Sequence, residues 1–197
     1  MDLGISDKVK PILEEVRNFI DTEILPLEHE YHEEISKGDR WTFTDRQTEI
    51  LEGLKSKAKA KNLWNFFLTH FEGGHGLNTV EYAYIAQETG RSHLAPEVFN
   101  CAAPDTGNME TIAKYGTTEQ KEKWLPLLAT GEAIGTFALA EGNGRPSVNS
   151  LKTTAAGGVV NGRKIPVADG GIATFAVVVA ASAQGDGASL QLVELDQ

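Results

Sequence analysis

The sequence changes character within residues 115–139, YGTTEQKEKWLPLLATGEAIGTFAL. Thr117 and Gln120 form a capping box, in which a hydroxyl residue and a residue three positions later satisfy free amides at the start of a helix. The helix should end near Gly131, and the apolar residues that follow are spaced as in a strand. We therefore predict an α+β chain, with a helical domain over residues 1–132 and a β-domain over residues 133–197.

Before this boundary, apolar residues recur every three or four positions, as they do along one face of an amphipathic helix. A proline lacks the amide that a helical hydrogen bond needs, so Pro26 should bend or end the first helix. The predicted helices begin at Ser6, at the capping boxes of Thr44, Asn78 and Thr117, and at Pro96, the last running toward Gly116 through an irregularity at Pro104.

After the boundary, glycine, alanine, valine and threonine dominate, and the period shortens to that of strands. Asn161-Gly162 is a dipeptide typical of a two-residue hairpin turn. A half-built sheet leaves edge groups unpaired, so we expect a partial antiparallel β-domain in a fragment, in a subunit that another chain completes, or in a degenerate gene product. The candidate strands cover 134–139, 150–154, 159–164, 175–180 and 190–193, with a glycine-rich turn at 184–187.

The chain is acidic, since 18 basic and 28 acidic residues give a net charge of −10. Such a surface repels phosphate backbones, so no nucleic-acid partner is expected. No run approaches the ~20 apolar residues of a membrane span, and the amino terminus lacks the blocks of a signal peptide. With Cys101 as the single cysteine, the simplest expectation is a cytoplasmic protein in a reducing compartment.

Two other groups of side chains could carry chemistry. Glu28, His29, His32 and Glu33 are spaced so that some share a helix face, as metal ligands do, but a solvated acidic face is the favoured interpretation. Cys101 has no basic neighbour within one helical turn, which favours an inert thiol over a reactive one.

Three groups of segments, taken in order, resemble the acyl-CoA dehydrogenase family. The first resembles a loop and helix of the family's helical domain, and the second is similar to its long-chain, kinase-fused branch. The third resembles the family's YG-T-x-E-Q-K-x-x-W-L run. The segments are GGHGLN at 73–78 with EY at 81–82 and AQETGRS at 86–92, APEVFNC at 95–101 with PDTGNME at 104–110, and YGTTEQK at 115–121 with WL at 124–125.

The resemblance implies an all-helical amino-terminal domain and a flavin-facing β-domain, without the family's carboxy-terminal helical bundle. It implies FAD as cofactor and α,β-dehydrogenation of an acyl-CoA thioester, in which flavin N5 accepts the β-hydride. The family's general base belongs to the missing bundle, so no catalytic residue is expected here and the chain alone should be inactive. The resemblance also implies fatty acid metabolism, a flavin electron acceptor, and a homo-oligomer or completion by another chain.

Two short segments match those with which the family holds its flavin. In FALAEG, residues 137–142, Ala140 stands where the family has a threonine. After NGRK at 161–164, Pro166 replaces a tryptophan and Ala168 replaces a hydroxyl residue. Two missing hydrogen bonds of about 1 kcal/mol each weaken binding about 30-fold, which a tight site could tolerate. The cofactor-binding residues implied are Phe137, Leu139, Ala140, Pro166, Val167 and Ala168.

The resemblance also implies contacts with the acyl-CoA substrate. Thr106 and Met109 lie in a stretch whose family counterpart is near the acyl chain, and simple helix packing is the alternative for them. Ser147 lies in a loop where the family often has a serine near the CoA arm.

Three functional hypotheses follow from these matches. The first is a FAD-dependent acyl-CoA dehydrogenase present as an incomplete chain, which the preserved Phe137, Leu139 and Glu141 favour. The second is a non-catalytic scaffold or partner subunit with an eroded flavin site, which Ala140 and Ala168 favour. The third is an acyl-CoA-binding module without redox chemistry.

Overall fold

The computed structural model describes residues 3–39, 41–68, 74–142, 147–182 and 187–196. Contacts between residues divide the chain into two compact units, Met1–Ala102 and Ala103–Gln197. Gly73 of the predicted glycine loop and residues 184–186 of the predicted glycine-rich turn lie outside the described residues.

The regular structure described in the first unit is helical, as the sequence predicts. It consists of α1 (Val9–Phe19), a π-helical turn (Ile20–Ile24), α2 (Leu25–Ile35), α3 (Asp45–Ala60), α4 (Thr79–Thr89) and α5 (Ala95–Val98). Both expected capping boxes are present. Thr44 accepts a hydrogen bond from the Gln47 amide at 3.1 Å, and Asn78 accepts one from the Glu81 amide at 3.0 Å.

The first helix changes type instead of ending at Pro26. The π-helical turn joins α1 to α2, and the chain stays helical through the proline. Pro26 is the second residue of α2, where its missing amide removes one helical hydrogen bond, but the Leu25 amide before it still donates to the Ile20 carbonyl. Of the two alternatives predicted for Pro26, an end of the helix is therefore wrong, whereas a bend stays a prediction.

The core of the first unit forms around the apolar face of α1. That face is buried along its length, up to Phe19. The rings of Phe19 and Phe66 each contact Phe99, with centroid separations of 5.5 and 5.8 Å. Such ring contacts contribute about 0.5–1.5 kcal/mol beyond the area that they bury. The predicted helical periodicity thus identifies the face that packs.

The helix predicted from Pro96 toward Gly116, with an irregularity at Pro104, is instead two separate helices. They are α5 and α6 (Asp105–Tyr115). Asn100 adopts a φ of +53°, a left-handed conformation that a continuing helix does not allow. Pro104 has no amide to donate across the gap. The break falls near the boundary between the two units.

The second unit combines two helices with a sheet of five strands in its described residues. Thr117 accepts a hydrogen bond from the Gln120 amide at 3.3 Å, so the third capping box is also confirmed. After α6 the elements are α7 (Thr118–Thr130), β1 (Gly135–Ala138), a 3₁₀ turn (Val148–Ser150), β2 (Thr154–Ala156), β3 (Val159–Asn161), β4 (Phe175–Ala181) and β5 (Ala188–Glu194).

Strand β4 is the centre of the sheet. β1 pairs with it in parallel from Gly135 opposite Phe175, and β2 joins it in parallel at Thr154 opposite Ala181. β5 pairs with β4 antiparallel, and β2 and β3 form an antiparallel hairpin. The α+β fold class is confirmed, but the sheet is mixed and not antiparallel throughout. The long connection between β1 and β4 permits their parallel pairing.

The hairpin turn lies at Gly157-Gly158, with φ values of +58° and +79°, and not at the predicted Asn161-Gly162. Glycine at 162 has another cause, since a Cβ there would lie 2.4 Å from the Thr153 hydroxyl oxygen. The strand predicted over 150–154 is also displaced. A 3₁₀ turn occupies its first residue, and β2 begins at Thr154.

Both faces of β4 are covered. On one face, the Phe175 ring packs on Trp124 of α7 at a centroid separation of 4.4 Å. On the other, Ala176 and Val178 form an apolar cluster with Ala138, against which further side chains pack: Val160, Val167, Val193 and Leu195. The sequence of a strand that is buried on both faces is a continuous run of apolar residues, as it is in β4.

The change from helices to strands occurs between α7 and β1, where the sequence predicts it. The division by contacts differs, because it places α6 and α7 in the same unit as the sheet. The domain bounds 1–132 and 133–197 therefore stay a prediction based on secondary structure. Among the described residues, no helix is both long and apolar enough to cross a membrane.

Replacing Gly162 by alanine should lower the free energy of unfolding by about 1–3 kcal/mol, since overpacked sites cost that much. The new Cβ would press on Thr153. Gly53→Ala is the matched control, because nothing lies within 4 Å of a Cβ at that helical position. There alanine should stabilise by up to about 1 kcal/mol. Urea denaturation of both variants measures the two changes in the free energy of unfolding. If both variants changed it in the same direction, the close approach of Gly162 to Thr153 would be contradicted.

Candidate functional site

The two segments predicted to hold a flavin lie side by side in the second unit. The Ile165 amide donates to the Ala140 carbonyl at 2.8 Å, and the Gly142 amide donates to the Ile165 carbonyl at 2.9 Å. These bonds form a short parallel bridge between Glu141 and Ile165. Segment 137–142 therefore continues beyond β1 as the neighbour of segment 165–168.

A side-chain bond fixes the far end of the second segment. The buried Thr136 hydroxyl donates to the carbonyl of Ala168. Thr136 and Ala168 are separated by 32 residues in the chain, so this bond is tertiary. Segment 165–168 is thus attached to the β1 region at both of its ends.

The Glu141 carboxylate connects further parts of the same region. It accepts hydrogen bonds from the Lys164 ammonium at 2.8 Å, from the Lys152 amide at 2.7 Å and from the Thr153 amide at 2.9 Å. The Lys164 ammonium also donates to the Leu139 carbonyl at 3.1 Å. The side chains of Lys164 and Glu141 are only 8% and 15% exposed. Low exposure strengthens such charge-assisted bonds.

These contacts set the charge state of Glu141. The Lys164 ammonium, followed by Thr153 and the Lys152 amide, holds the pKa of this carboxyl far below its usual range. The carboxylate is therefore ionised at any pH at which the chain would ordinarily be studied. A depressed carboxyl pKa contributes stability that is present above the unfolded value of about 4.3 and is lost as the pH falls toward the folded value.

Not every predicted cofactor residue faces the same way. A Cβ on Gly135 would lie 2.5 Å from the Phe175 ring, so Gly135 faces the helices. Since strand residues alternate between faces, Phe137 lies on that same side, and it is 39% exposed. Val167 packs on the opposite face, in the cluster of Ala138. β1 therefore separates the Phe137 ring from the Val167 side chain.

The remaining predicted cofactor residues line the surface between the two segments. Pro166 and Ala168 are exposed, whereas Leu139 and Ala140 are half-buried. Ala140 and Ala168 carry only methyl side chains, so the two backbones can be approached closely at these positions. These residues fit a flavin held mainly by backbone and apolar contacts. Their roles as cofactor-binding residues stay predictions.

The predicted substrate residues lie on different elements. Thr106 and Met109 belong to α6, which packs against β1 and whose Asp105 accepts a hydrogen bond from the Gly135 amide at 2.7 Å. Met109 is only 2% exposed, which supports helix packing, whereas Thr106 is half-buried. Ser147 is exposed, and its hydroxyl accepts from the Asn149 amide at 3.3 Å, capping the 3₁₀ turn. Substrate contacts by these three residues stay predictions.

Sequence reasoning missed the supporting role of three residues, Thr136, Glu141 and Lys164. From the sequence alone, Glu141 is only a preserved motif residue and Lys164 only the end of NGRK. A signal was available, since two opposite charges directly adjoin the two flavin segments. Their pairing could not be deduced without the register that the sheet imposes.

The other two groups of side chains have structural roles in the first unit. Glu28 accepts hydrogen bonds from the Ser92 hydroxyl at 2.9 Å and from the His93 amide at 2.6 Å, so it fixes the approach to α5. Within the described ranges, no three acidic, histidine or cysteine side chains are grouped as metal ligands. Desolvation raises the pKa of the Cys101 thiol to about 11, which supports the prediction that it is inert.

Replacing Glu141 by glutamine should lower the free energy of unfolding at pH 7 by about 2–3 kcal/mol, because charged hydrogen bonds are lost and Lys164 keeps a poorly matched partner. Below about pH 4 the difference should shrink, since the Glu141 carboxyl of the unfolded wild type then binds a proton that the folded state excludes. Denaturation midpoints measured from pH 7 to pH 3 test this expectation. A difference that stays constant over this range would contradict the assigned charge state.

Known proteins of one family are similar to this chain in sequence and in fold. The family model described as "Acyl-CoA dehydrogenase, N-terminal domain" matches residues 6–132. Acyl-CoA dehydrogenase family member 10 of Mus musculus is 42% identical over 143 residues, which are 70% of this chain and 13% of that protein. Acyl-CoA dehydrogenase family member 11 of Gallus gallus is 41% identical over 149 residues, 76% of this chain and 18% of that protein.

A solved glutaryl-CoA dehydrogenase from Mycobacterium smegmatis, in complex with FADH2, superimposes with a TM-score of 0.73 at 28% identity. The match covers 98% of this chain and 46% of that one. The chain thus spans about half of this solved relative and less than a fifth of the two curated relatives. The matched family model and the sequence identities together show that the chain belongs to the acyl-CoA dehydrogenase family.

Proposed function

We propose that this chain is part of a FAD-dependent acyl-CoA dehydrogenase that oxidises an acyl-CoA thioester between its α and β carbons. The observation that carries the proposal is the bridge between Glu141 and Ile165, which brings both predicted flavin segments to one edge of the sheet. These segments lie 23 residues apart or more in the sequence, so their meeting is a property of the fold. The solved relative with FADH2 supports the choice of flavin.

In this proposal each segment has a physical role. FAD, when bound, supplies the hydride acceptor of the reaction. The backbones around Ala140 and Ala168 border its ring, and the side chains of Leu139 and Pro166 contribute apolar contact. Thr106, Met109 and Ser147 are the candidates for contact with the substrate. The proton acceptor lies in a part of the complete protein outside these residues, so none of them is assigned a catalytic role.

We also propose partners for the complete protein. The substrate is an acyl-CoA, and the electrons leave to a flavin electron acceptor, as expected for fatty acid metabolism. Assembly as a homo-oligomer, or with a chain that completes the fold, would cover the sheet edge that β5 presents. A cytoplasmic location stays an expectation that rests on the sequence.

A second function is favoured by one specific observation. Neither position 140 nor position 168 offers a hydroxyl, and the nearby Thr136 hydroxyl is bonded to the Ala168 carbonyl. Pro166 has no amide to donate. If this chain keeps the family's fold but no longer binds flavin, its function is that of a scaffold or partner subunit. Affinity for FAD decides between the two functions.

Restoring the two hydroxyls should tighten FAD binding. The variant Ala140→Thr with Ala168→Thr should gain up to about 30-fold in affinity, because each new hydrogen bond is worth about 1 kcal/mol. Absorbance and fluorescence titrations of FAD into wild type and variant measure the change. Thr42→Ala, a substitution at an exposed position in the first unit, is the control and should leave affinity unchanged. A colourless wild type that ignores FAD would favour the scaffold.

The chain by itself should not oxidise acyl-CoA substrates. No base is assigned to its residues, and dehydrogenation requires a positioned group to remove the α-proton. Reduction of an artificial dye by the chain with added FAD and a panel of acyl-CoA esters tests this. A homologous full-length dehydrogenase serves as the positive control. Substrate-dependent turnover by the 197 residues would show that the base lies within them.

A further inference from the structure

We propose that Glu141 and Lys164 are a positioning pair, which holds the two flavin segments at the separation that FAD binding requires. The inference rests on the proposed function and adds two residues to it. Neither side chain is assigned a contact with the cofactor. Their role is to act through the backbones of residues 139–142 and 165–168.

The contacts of the pair support this role. The Lys164 ammonium bonds both to the Leu139 carbonyl and to the Glu141 carboxylate, so it bridges to the first segment twice. Lys164 directly precedes Ile165, whose amide and carbonyl bond to Ala140 and Gly142. The ion pair therefore adjoins the backbone bridge. Loss of the ion pair would leave that bridge dependent on two backbone hydrogen bonds.

The chemistry of the carboxylate explains why glutamate is needed at this position. One carboxylate oxygen accepts from Lys164 and from the Thr153 amide, and the other accepts from the Lys152 amide. A carboxylate only accepts hydrogen bonds, whereas a glutamine amide has one accepting oxygen and a donating nitrogen. In Glu141→Gln, a donating NH₂ group would have to face a donor. The isosteric variant therefore breaks the arrangement without changing its size.

The lysine allows a complementary set of variants. Lys164→Arg keeps a charged donor with several N–H groups, and Lys164→Met keeps the apolar stem without the charge. The double variant Glu141→Gln with Lys164→Met removes both charges, and removing both partners is less destabilising than removing one. The double variant therefore distinguishes a role in positioning the flavin segments from a role in stabilising the fold. A pair that only stabilises the fold would regain FAD affinity when stability returns.

An exposed ion pair in the same unit provides the control for loss of a glutamate charge. Lys123 and Glu194 form an exposed salt bridge between α7 and β5, and neither side chain contacts the two flavin segments in the hydrogen bonds described for the structure. Exposed pairs of this kind contribute little to stability. Glu194→Gln removes the same charge as Glu141→Gln but should leave FAD binding as it is in the wild type.

The test combines two measurements on the full chain. FAD dissociation constants are expected to rise about tenfold or more for Glu141→Gln, Lys164→Met and the double variant, since each loses a charge-assisted bond. Lys164→Arg should stay within about threefold of wild type. Amide exchange followed by NMR should quicken at Gly142 and Ile165 in the same variants, while β4 amides in Glu194→Gln remain as in the wild type.

The outcomes distinguish the two proposals. If wild type binds FAD and the uncharged variants bind it equally well, the positioning role is wrong and the proposed function stands. If wild type does not bind FAD, the proposed function fails, and the positioning role for a flavin fails with it. The exchange data then show separately whether the pair holds the segments together. Recovery of FAD affinity in the stable double variant would also overturn the positioning role.

Discussion

The hydrogen bonds of the Glu141 carboxylate determine how the chain runs around β1. Its partners are Lys152, Thr153 and Lys164, so the β2–β3 hairpin leaves from this side chain and returns to it. The returning chain passes so close to Thr153 that position 162 has room only for glycine. Ile165 then lies beside Ala140 as the next residue after the ion pair. This electrostatic contact, between residues 23 positions apart, thereby adjoins the bridge between two segments that are distant in sequence.

This construction has a consequence for function. The edge proposed to hold a cofactor is formed by backbone and by small or apolar side chains, whereas the charged side chains of Glu141 and Lys164 form a less exposed layer. Replacing two hydroxyl residues by alanine removes individual contacts but leaves the layer intact. A chain can therefore lose affinity for FAD while its two segments keep the same backbone arrangement. That combination is why both a working flavoprotein and a scaffold are consistent with the same fold, and why affinity separates them.

Local signals in the sequence predicted local structure well. The capping boxes at Thr44, Asn78 and Thr117 all open helices, because the bonds that define them lie within four residues. Predictions failed where distant contacts decide. The sequence predicts a hairpin turn at Gly162, whereas the close approach of Thr153 is what requires glycine there. The parallel pairing of β1 with β4 likewise depends on residues that are far apart in the sequence. The flavin segments were identified by resemblance, but the pairing of Glu141 with Lys164 emerged only from the register.

In the proposed function, segments 139–142 and 165–168 together form a flavin-binding edge. Titrating FAD into the isotopically labelled chain, and following backbone amide shifts by NMR, tests it most directly. We expect saturable shifts concentrated at Ala140, Gly142, Ile165 and Ala168, with little change in α3 of the first unit. Saturable binding that leaves these four amides unperturbed, or no binding at millimolar FAD, would contradict it.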